Sequence, residues 1–274
     1  MKRFERVRDG LEPPAFMRCR DTPALAAKIQ QAREALADCR LCPHECGANR
    51  LAGETGWCGV GPEAHVVADL VHLGEVAELA PAWTVFLSGC TMRCVYCRKW
   101  ELIEQPQVGR VLEPRWFADR ARQARAEGAR TIKLLGGTPE PHVAALLAAM
   151  GEMDACLPVI WESTMFMSGQ CLSLIEGTVD LFIANLRYGN DACARELSGV
   201  EEYVAPALAA LREVMRWSDV RIRHLVLPGH IDCCTRPLAE MLEEVAPELE
   251  MELLTQYVPF WRAGDHPPLD RRLT

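Results

Sequence analysis

Three cysteines fall within the segment GCTMRCVYCRKW: Cys90, Cys94 and Cys97, spaced Cys-x3-Cys-x2-Cys. Thiolates favour zinc and iron–sulfur clusters over hard cations. A loop this short can wrap a compact centre, since each residue reaches at most ~3.5 Å. A structural zinc would take a fourth thiolate or histidine, and none follows nearby. Three ligands to a four-iron cluster would leave one iron open to a small molecule, which gives a set of three its chemical sense.

A second group, Cys39, Cys42, Cys46 and Cys58, has the spacing Cys-x2-Cys-x3-Cys-x11-Cys. Four thiolates can close a site. Pro43, Gly47, Gly53, Gly56 and Gly59 supply the turns that a knuckle needs. Zinc and an auxiliary iron–sulfur cluster both fit this donor set. A zinc would staple the N-terminal segment to the rest of the chain. A cluster could pass electrons or hold substrate.

These residues need a frame. From residue 83 onward, short apolar runs alternate with helical stretches. The runs are WTVFLSGC (83–90), TIKLLGG (131–137), PVIWEST (158–164), VDLFIANLRYG (179–189), VRIRHLVLPG (220–229) and MELLTQYVPFW (251–261). Between them lie RWFADRARQARAEG, PHVAALLAAMGEM, SGQCLSLIEG, EYVAPALAALREVMRW and RPLAEMLEEVAPE. Six strands alternating with helices predict an α/β fold with a parallel sheet, a partial (β/α)6 TIM-like barrel. Such folds place their sites at the C-terminal ends of the strands. Cys90 closes the first barrel strand, and Cys94 and Cys97 lie in the loop after it. Residues 1–80 read as an N-terminal extension, and residues 81–274 as the barrel. The extension holds an arm and a helix, with Asp21 or Thr22 as cap and Pro23 early in the helix. The four-cysteine module follows. The stretch AHVVADLVHLGEVAEL then reads as a small hairpin.

Composition narrows the function. The chain has 274 residues, 49% hydrophobic and 25% charged, enough for one barrel-sized domain with an extension. A net charge of −8 argues against a general binder of nucleic acid or anionic membrane. Arg115, Arg120, Arg122, Arg125 and Arg130 cluster locally, but Glu113, Asp119 and Glu127 interleave them, as on a solvated helix face. No segment has the length of a membrane span, and MKRFERVRDGLEPPAF has no apolar core for a signal peptide. A cytoplasmic location is expected. There, thirteen cysteines point to metal or redox chemistry rather than to disulfides.

The Cys-x3-Cys-x2-Cys spacing resembles the hallmark of the radical S-adenosylmethionine (radical SAM) superfamily. Tyr96 stands where that family places a ring near the adenine. Gly136-Gly137-Thr138-Pro139 resembles its glycine-pair motif, which receives the methionine amino group. The family usually has Glu or Asp where Thr138 stands, and Glu140 or another acid would then supply the missing charge. The segments CRLCPHECGANRLAGETGWCGVG, LLGGTPEPH, VDLFIANLRYG, RHLVLPGHIDCC and TQYVPFW extend the likeness over roughly residues 39–262. They resemble iron–sulfur proteins similar to the pyruvate formate-lyase activating enzyme. That likeness sets Asn185 and Arg187 where activating enzymes carry an Asp-x-Lys pair on the adenosylmethionine. It turns Glu162, Arg223 and Gln256 or Tyr257 toward the same cavity. Beside each assignment stands the reading of a buried, hydrogen-bonded group that only shapes the barrel.

The mechanism implied by the resemblance starts from a reduced [4Fe-4S] cluster held by Cys90, Cys94 and Cys97. It chelates S-adenosylmethionine and cleaves it to methionine and a 5′-deoxyadenosyl radical, which abstracts a hydrogen atom from a protein, peptide or small-molecule substrate. A low-potential donor such as flavodoxin or ferredoxin would supply the electron. The alternative is an activating enzyme that installs a glycyl radical on a partner enzyme. The chain lacks the ferredoxin-like insert that some activators carry after the three-cysteine motif, which weighs against this. A non-catalytic electron carrier would have no use for the glycine pair. Among other residues, Cys233 and Cys234 lie beside His230 and Asp232 near the expected site mouth, where packing, hydrogen-atom donation and metal binding are all open. Cys19, Cys156, Cys171 and Cys193 read as structural, and His65, His72 and His142 as satisfied or exposed. Trp57 and Trp83 read as core. Strand alternation lets only one of Arg223 and His224 point inward.

Overall fold

The structure, a computed structural model, describes residues 3–273 apart from residues 75 and 77. Eight strands form one sheet: β1 (His65–His72), β2 (Ala82–Leu87), β3 (Arg110–Val111), β4 (Thr131–Gly136), β5 (Val159–Ser163), β6 (Leu181–Asn185), β7 (Asp219–Leu225) and β8 (Met251–Leu254). Their order is β3-β1-β2-β4-β5-β6-β7-β8. From β2 to β8 every neighbouring pair is parallel. These six strands are the six apolar runs of the sequence, arranged as a partial (β/α)6 barrel. Their near-continuous Val, Ile and Leu content suits strands covered on both faces.

The helices Pro114–Ala126, Val143–Glu152, Gly169–Ile175, Val204–Val214 and Arg236–Val245 make the crossovers. A further helix, Asp191–Ser198, was not expected. Asn190 caps it by accepting a hydrogen bond from the Cys193 amide, and Gly199 ends it in the left-handed region. Among the described residues of the stretch 64–79, a single strand forms rather than the two of a hairpin. Instead β1 pairs antiparallel with β2 on one side and with the two-residue β3 on the other. The helix Ala24–Glu34 forms as expected, and Thr22 Oγ1 accepts from the Ala24 amide at 3.2 Å. The arginines of helix Pro114–Ala126 pair locally, Arg120 with Asp69 and Glu127 and Arg122 with Asp119 and Asp154. No described helix is long and apolar enough to cross a membrane.

Alternation along the strands builds the barrel in layers. Ile160, Leu181 and Ile183 form an inner cluster with Phe4 and Leu79, which plug the bottom from the N-terminal region. Above it, Lys133 Nζ meets Glu162 Oε2 at 2.7 Å, and Asn185 Nδ2 donates to Glu162 Oε1 at 2.9 Å. This buried polar layer is the floor of the cavity. Trp83, Trp161 and Phe182 belong instead to the main core with the helices. Asp180 clamps the arm to the barrel by accepting from the amides of Ala15 and Val159, both at 2.8 Å.

One buried histidine holds the start of the cysteine loop. His142 Nε2 lies 2.6 Å from the Ser88 carbonyl oxygen, and its Nδ1 is buried with no partner. Burial pulls this ring from the ordinary 6.5 down to about 3. Between those pH values the unfolded chain binds a proton that the folded chain refuses. Stability is therefore complete above pH 6.5 and falls as the pH is lowered toward 3. Urea midpoints across this range are expected to show the decline, with a shallower slope in His142→Asn.

Candidate functional site

The C-terminal ends of β2, β4, β5, β6 and β7 open onto a cavity of about 280 Å³. Cys90, Cys94 and Cys97 line it, together with Tyr96, Gly136, Gly137, Thr138, Glu162, Asn185 and Arg187. Residues not foreseen from the sequence complete the wall, among them Met92, Arg98, Lys99, Ile103, Ser163, Thr164 and Leu225. Lys133 was also missed, although a lysine inside the apolar run TIKLLGG was a readable signal of a buried ion pair.

The glycine pair is required by the chain itself. A Cβ on Gly137 would lie 1.5 Å from the Gly89 carbonyl oxygen, and one on Gly136 would lie 2.1 Å from that of Leu87. Gly136 also has φ +134, outside the range of other residues. The Gly137 amide donates to Leu87 O at 2.9 Å and the Thr138 amide to Gly89 O at 3.2 Å. The end of β4 is thus stitched to the cysteine loop.

Burial pushes the Cys97 thiol up to about 11, and the neighbouring Cys94 adds to the shift. Burial raises Cys90 as well, followed by the effects of Cys94 and Cys97. Cys90 and Cys97 thus resist ionisation unless a cation joins them, which is the electrostatics of a metal site. Ser198 Oγ donates to Cys94 Sγ at 3.0 Å. Tyr188 hydrogen-bonds Ser198, and its hydroxyl is 2.9 Å from that of Tyr96, so a chain of hydroxyls leads from Tyr96 to the Cys94 sulfur. Arg187 is tied at its backbone, whose amide donates to Tyr203 Oη at 2.9 Å. Its Nε is buried without a partner, a donor free to take a carboxylate.

Three residues expected in the cavity are not part of its lining. Arg223 is buried, and its Nε donates to Glu252 at 2.9 Å. The opposed carboxylate on β8 draws this guanidinium away. Strand β8 ends at Leu254, so inward alternation does not extend to Gln256, which is exposed. Tyr257 is buried behind the wall, edge-on to Tyr96 at 6.2 Å, with its hydroxyl donating to Leu269 O. Glu140 does not reach the cavity either. It is fully buried, accepts from Trp161 Nε1 at 3.3 Å, and burial raises its pKa. Among the described residues, Glu162 is the carboxylate in the wall. His224 takes the opposite face from Arg223, with Nδ1 2.9 Å from Leu186 O.

Cys39, Cys42, Cys46 and Cys58 line a second, smaller cavity with Trp57 and Thr91. Trp57 stacks on His44 rather than in the barrel core, whereas Trp83 is fully buried there. Burial pushes the Cys42 thiol up to about 12. Thr91 directly follows Cys90, so the loop of the first cysteine set also lines the cavity of the second. His44 Nε2 lies 2.9 Å from Thr91 O, and Arg93 donates to Trp57 O at 3.0 Å, fastening the two regions together. A third gathering joins Cys193, read from the sequence as structural, to His230, Cys233 and Cys234, which the sequence had already set side by side with metal binding open.

A Gly137→Ala substitution is expected to expel the cysteine loop. Retained iron should fall after anaerobic reconstitution, and the unfolding midpoint should reflect a loss of about 3 kcal/mol or more. Gly264→Ala, which meets nothing within 4 Å, should leave both unchanged.

The family model described as the radical SAM superfamily matches residues 84–242, which span the barrel from β2 into its last crossover helix. An uncharacterised protein of Methanocaldococcus jannaschii is 30% identical over 257 residues, covering 91% of this chain and 75% of that one. Among solved structures, Streptococcus suis SuiB bound to the precursor peptide SuiA aligns with a TM-score of 0.48 at 12% identity. That alignment covers 66% of this chain and 42% of SuiB. SuiB bound to S-adenosylmethionine aligns with a TM-score of 0.45 at 15% identity over 66% and 43% of the two chains. By its family match and its three-cysteine cavity at the barrel mouth, the chain is a member of the radical SAM superfamily of enzymes.

Proposed function

We propose that this enzyme cleaves S-adenosylmethionine reductively and abstracts a hydrogen atom from a substrate presented at the barrel mouth. The observation that carries the reading is convergence: three thiols, the glycine pair and the unpartnered Nε of Arg187 meet in one cavity. When bound, the [4Fe-4S] cluster supplies the electron that splits S-adenosylmethionine into methionine and the 5′-deoxyadenosyl radical. Cys90, Cys94 and Cys97 hold that cluster. Gly136, Gly137 and Thr138 bracket the methionine amino group, for which Thr138 offers only neutral oxygens. Arg187 takes the carboxylate through charge-assisted hydrogen bonds. Tyr96 flanks the adenine, while Glu162 and Asn185 present polar atoms from the floor. The surrounding wall excludes water, which protects a reactive radical from side reactions.

Cys39, Cys42, Cys46 and Cys58 are proposed to hold a second metal centre. Its cavity is lined in part by Thr91, the residue after Cys90, and this adjacency supports an iron–sulfur cluster that passes electrons from a flavodoxin or ferredoxin to the first. A zinc knuckle is the competing occupant. At the mouth, Trp100 stacks on Trp261 with 6° between the rings, Arg98 lies over Phe260 and Arg262 over Trp261. This aromatic and cationic rim supports a peptide or protein segment as substrate more readily than a small neutral molecule.

Anaerobically reconstituted, reduced protein is expected to convert S-adenosylmethionine to 5′-deoxyadenosine, and its absence would sink the proposal. Arg187→Ala should raise the KM for S-adenosylmethionine about 10- to 100-fold, with Arg187→Lys less affected. Deuterium carried from a labelled substrate into 5′-deoxyadenosine would identify the target. Transfer from a glycyl radical enzyme would instead indicate an activating enzyme. Iron analysis tests the second centre: about eight irons per chain are expected for two four-iron clusters, and about four for a zinc knuckle.

A further inference from the structure

Beyond the two sequence-evident cysteine sets, a third set of ligand atoms converges at the ends of β6 and β7. Cys193 Sγ lies 3.7 Å from Cys233 Sγ, and each lies 3.4 Å from His230 Nδ1. Cys234 Sγ is 4.0 Å from Cys233 Sγ, and all four ligand atoms fall within 4.8 Å of one another. A tetrahedral zinc with Zn–S bonds of about 2.3 Å and Zn–N bonds of about 2.05 Å separates its sulfurs by about 3.8 Å and sulfur from nitrogen by about 3.6 Å. These four spacings match that tetrahedron, and the two remaining pairs fall within 4.8 Å. They do not match a disulfide, whose sulfurs are about 2.05 Å apart.

The local backbone explains how residues so distant in sequence meet. Cys193 lies in the first turn of the helix Asp191–Ser198. Cys233 and Cys234 lie in a π-helical turn, Ile231–Thr235, that precedes the helix Arg236–Val245. The wider turn lets two consecutive cysteines share one centre, and such turns recur at functional sites. Gly189 allows the two segments to touch, since a Cβ there would lie 2.2 Å from Cys234 O. Asn190 adds a polar frame. Its Oδ1 accepts from the Cys193 amide at 2.8 Å, and its Nδ2 donates to the Cys233 carbonyl oxygen at 2.5 Å, with Cys193 Sγ at 3.3 Å and Cys234 Sγ at 3.5 Å beside it. One side chain thus ties both cysteine-bearing segments together around the sulfurs.

We propose that Cys193, His230, Cys233 and Cys234 hold a structural zinc ion. With four protein ligands the coordination shell is closed, so the ion staples the β6 and β7 loops rather than performing chemistry. Cys193 and Cys234 are buried and His230 is half-buried, so the ion has a protected seat near the surface. The staple reaches the cavity as well. The helix that begins beside Cys193 ends at Ser198, which donates to Cys94.

The full chain, purified anaerobically, is the material for the test, with zinc and iron measured per chain by mass spectrometry. Cys193→Ala and Cys233→Ala are each expected to carry about one zinc fewer than the wild type, with iron unchanged. Protein grown with cobalt should show thiolate-to-cobalt charge-transfer bands and the intense visible bands of a tetrahedral ion. His230→Cys retains four ligands, so it should keep the metal while shifting those bands, and it serves should the alanine variants fail to fold. Wild-type protein without zinc, zinc unchanged in Cys193→Ala, or a Cys193–Cys233 disulfide in the native peptide map would each overturn the proposal. These readouts need no cleavage of S-adenosylmethionine, so they stand apart from the fate of the radical-enzyme reading.

Discussion

The carbonyl oxygen of Gly89 lies so near the Cα of Gly137 that no side chain could be placed between them. This contact joins the residue that follows β4 to the loop that carries the three cysteines. The strands are held by ordinary ladder hydrogen bonds, but the loop extends beyond the sheet and needs its own anchors. The Gly137 and Thr138 amides provide two of them and His142 a third. The same backbone contact brings the glycine pair and the thiols to one side of one cavity. Distance between ligand-binding groups is thereby set by two peptide planes in van der Waals contact, the least deformable spacer a protein has.

Charge is arranged around that spacer with equal economy. The thiols are buried or half-buried, and Arg98, Lys99 and Arg187 bring positive charge into the same wall. The carboxylate of the wall, Glu162, is already engaged by Lys133 and Asn185. Paired in this way, Glu162 contributes hydrogen-bonding geometry without an uncompensated charge at the cavity floor. Glu140, which proximity to the glycine pair had suggested as a charge donor, is instead absorbed into the packing behind Trp161. The hydroxyl chain from Tyr96 to Ser198 then ends on the Cys94 sulfur, so the wall and the cysteine loop are joined by hydrogen bonds.

Much of this was legible before any coordinates. The six parallel strands announced themselves because strands buried on both faces must be almost wholly apolar, and the runs between them were long enough for helices. The three-cysteine loop and the glycine pair were legible because both are local in sequence. What escaped depended on tertiary geometry. Arg223 faces inward by alternation, but the carboxylate of Glu252 on the neighbouring strand captures it. Gln256 and Tyr257 lie past the end of β8, where alternation no longer governs direction. Cys193 looked solitary because its companions lie some forty residues away, brought close only by the parallel pairing of β6 with β7. The helix that carries it had readable ends in Asn190 and Gly199, but its eight residues were too few for a periodic pattern to show.

The sheet has two ends that never meet, the two-residue β3 and the four-residue β8. A closed barrel has its radius dictated by strand number and shear. An open one lacks that condition, and here the segment after β8 reaches across to the cysteine loop instead: the Arg262 amide donates to Val95 O at 3.0 Å, and Trp261 stacks on Trp100. The wall is closed on that side by loop contacts rather than by a ladder, so no strand register fixes its width there.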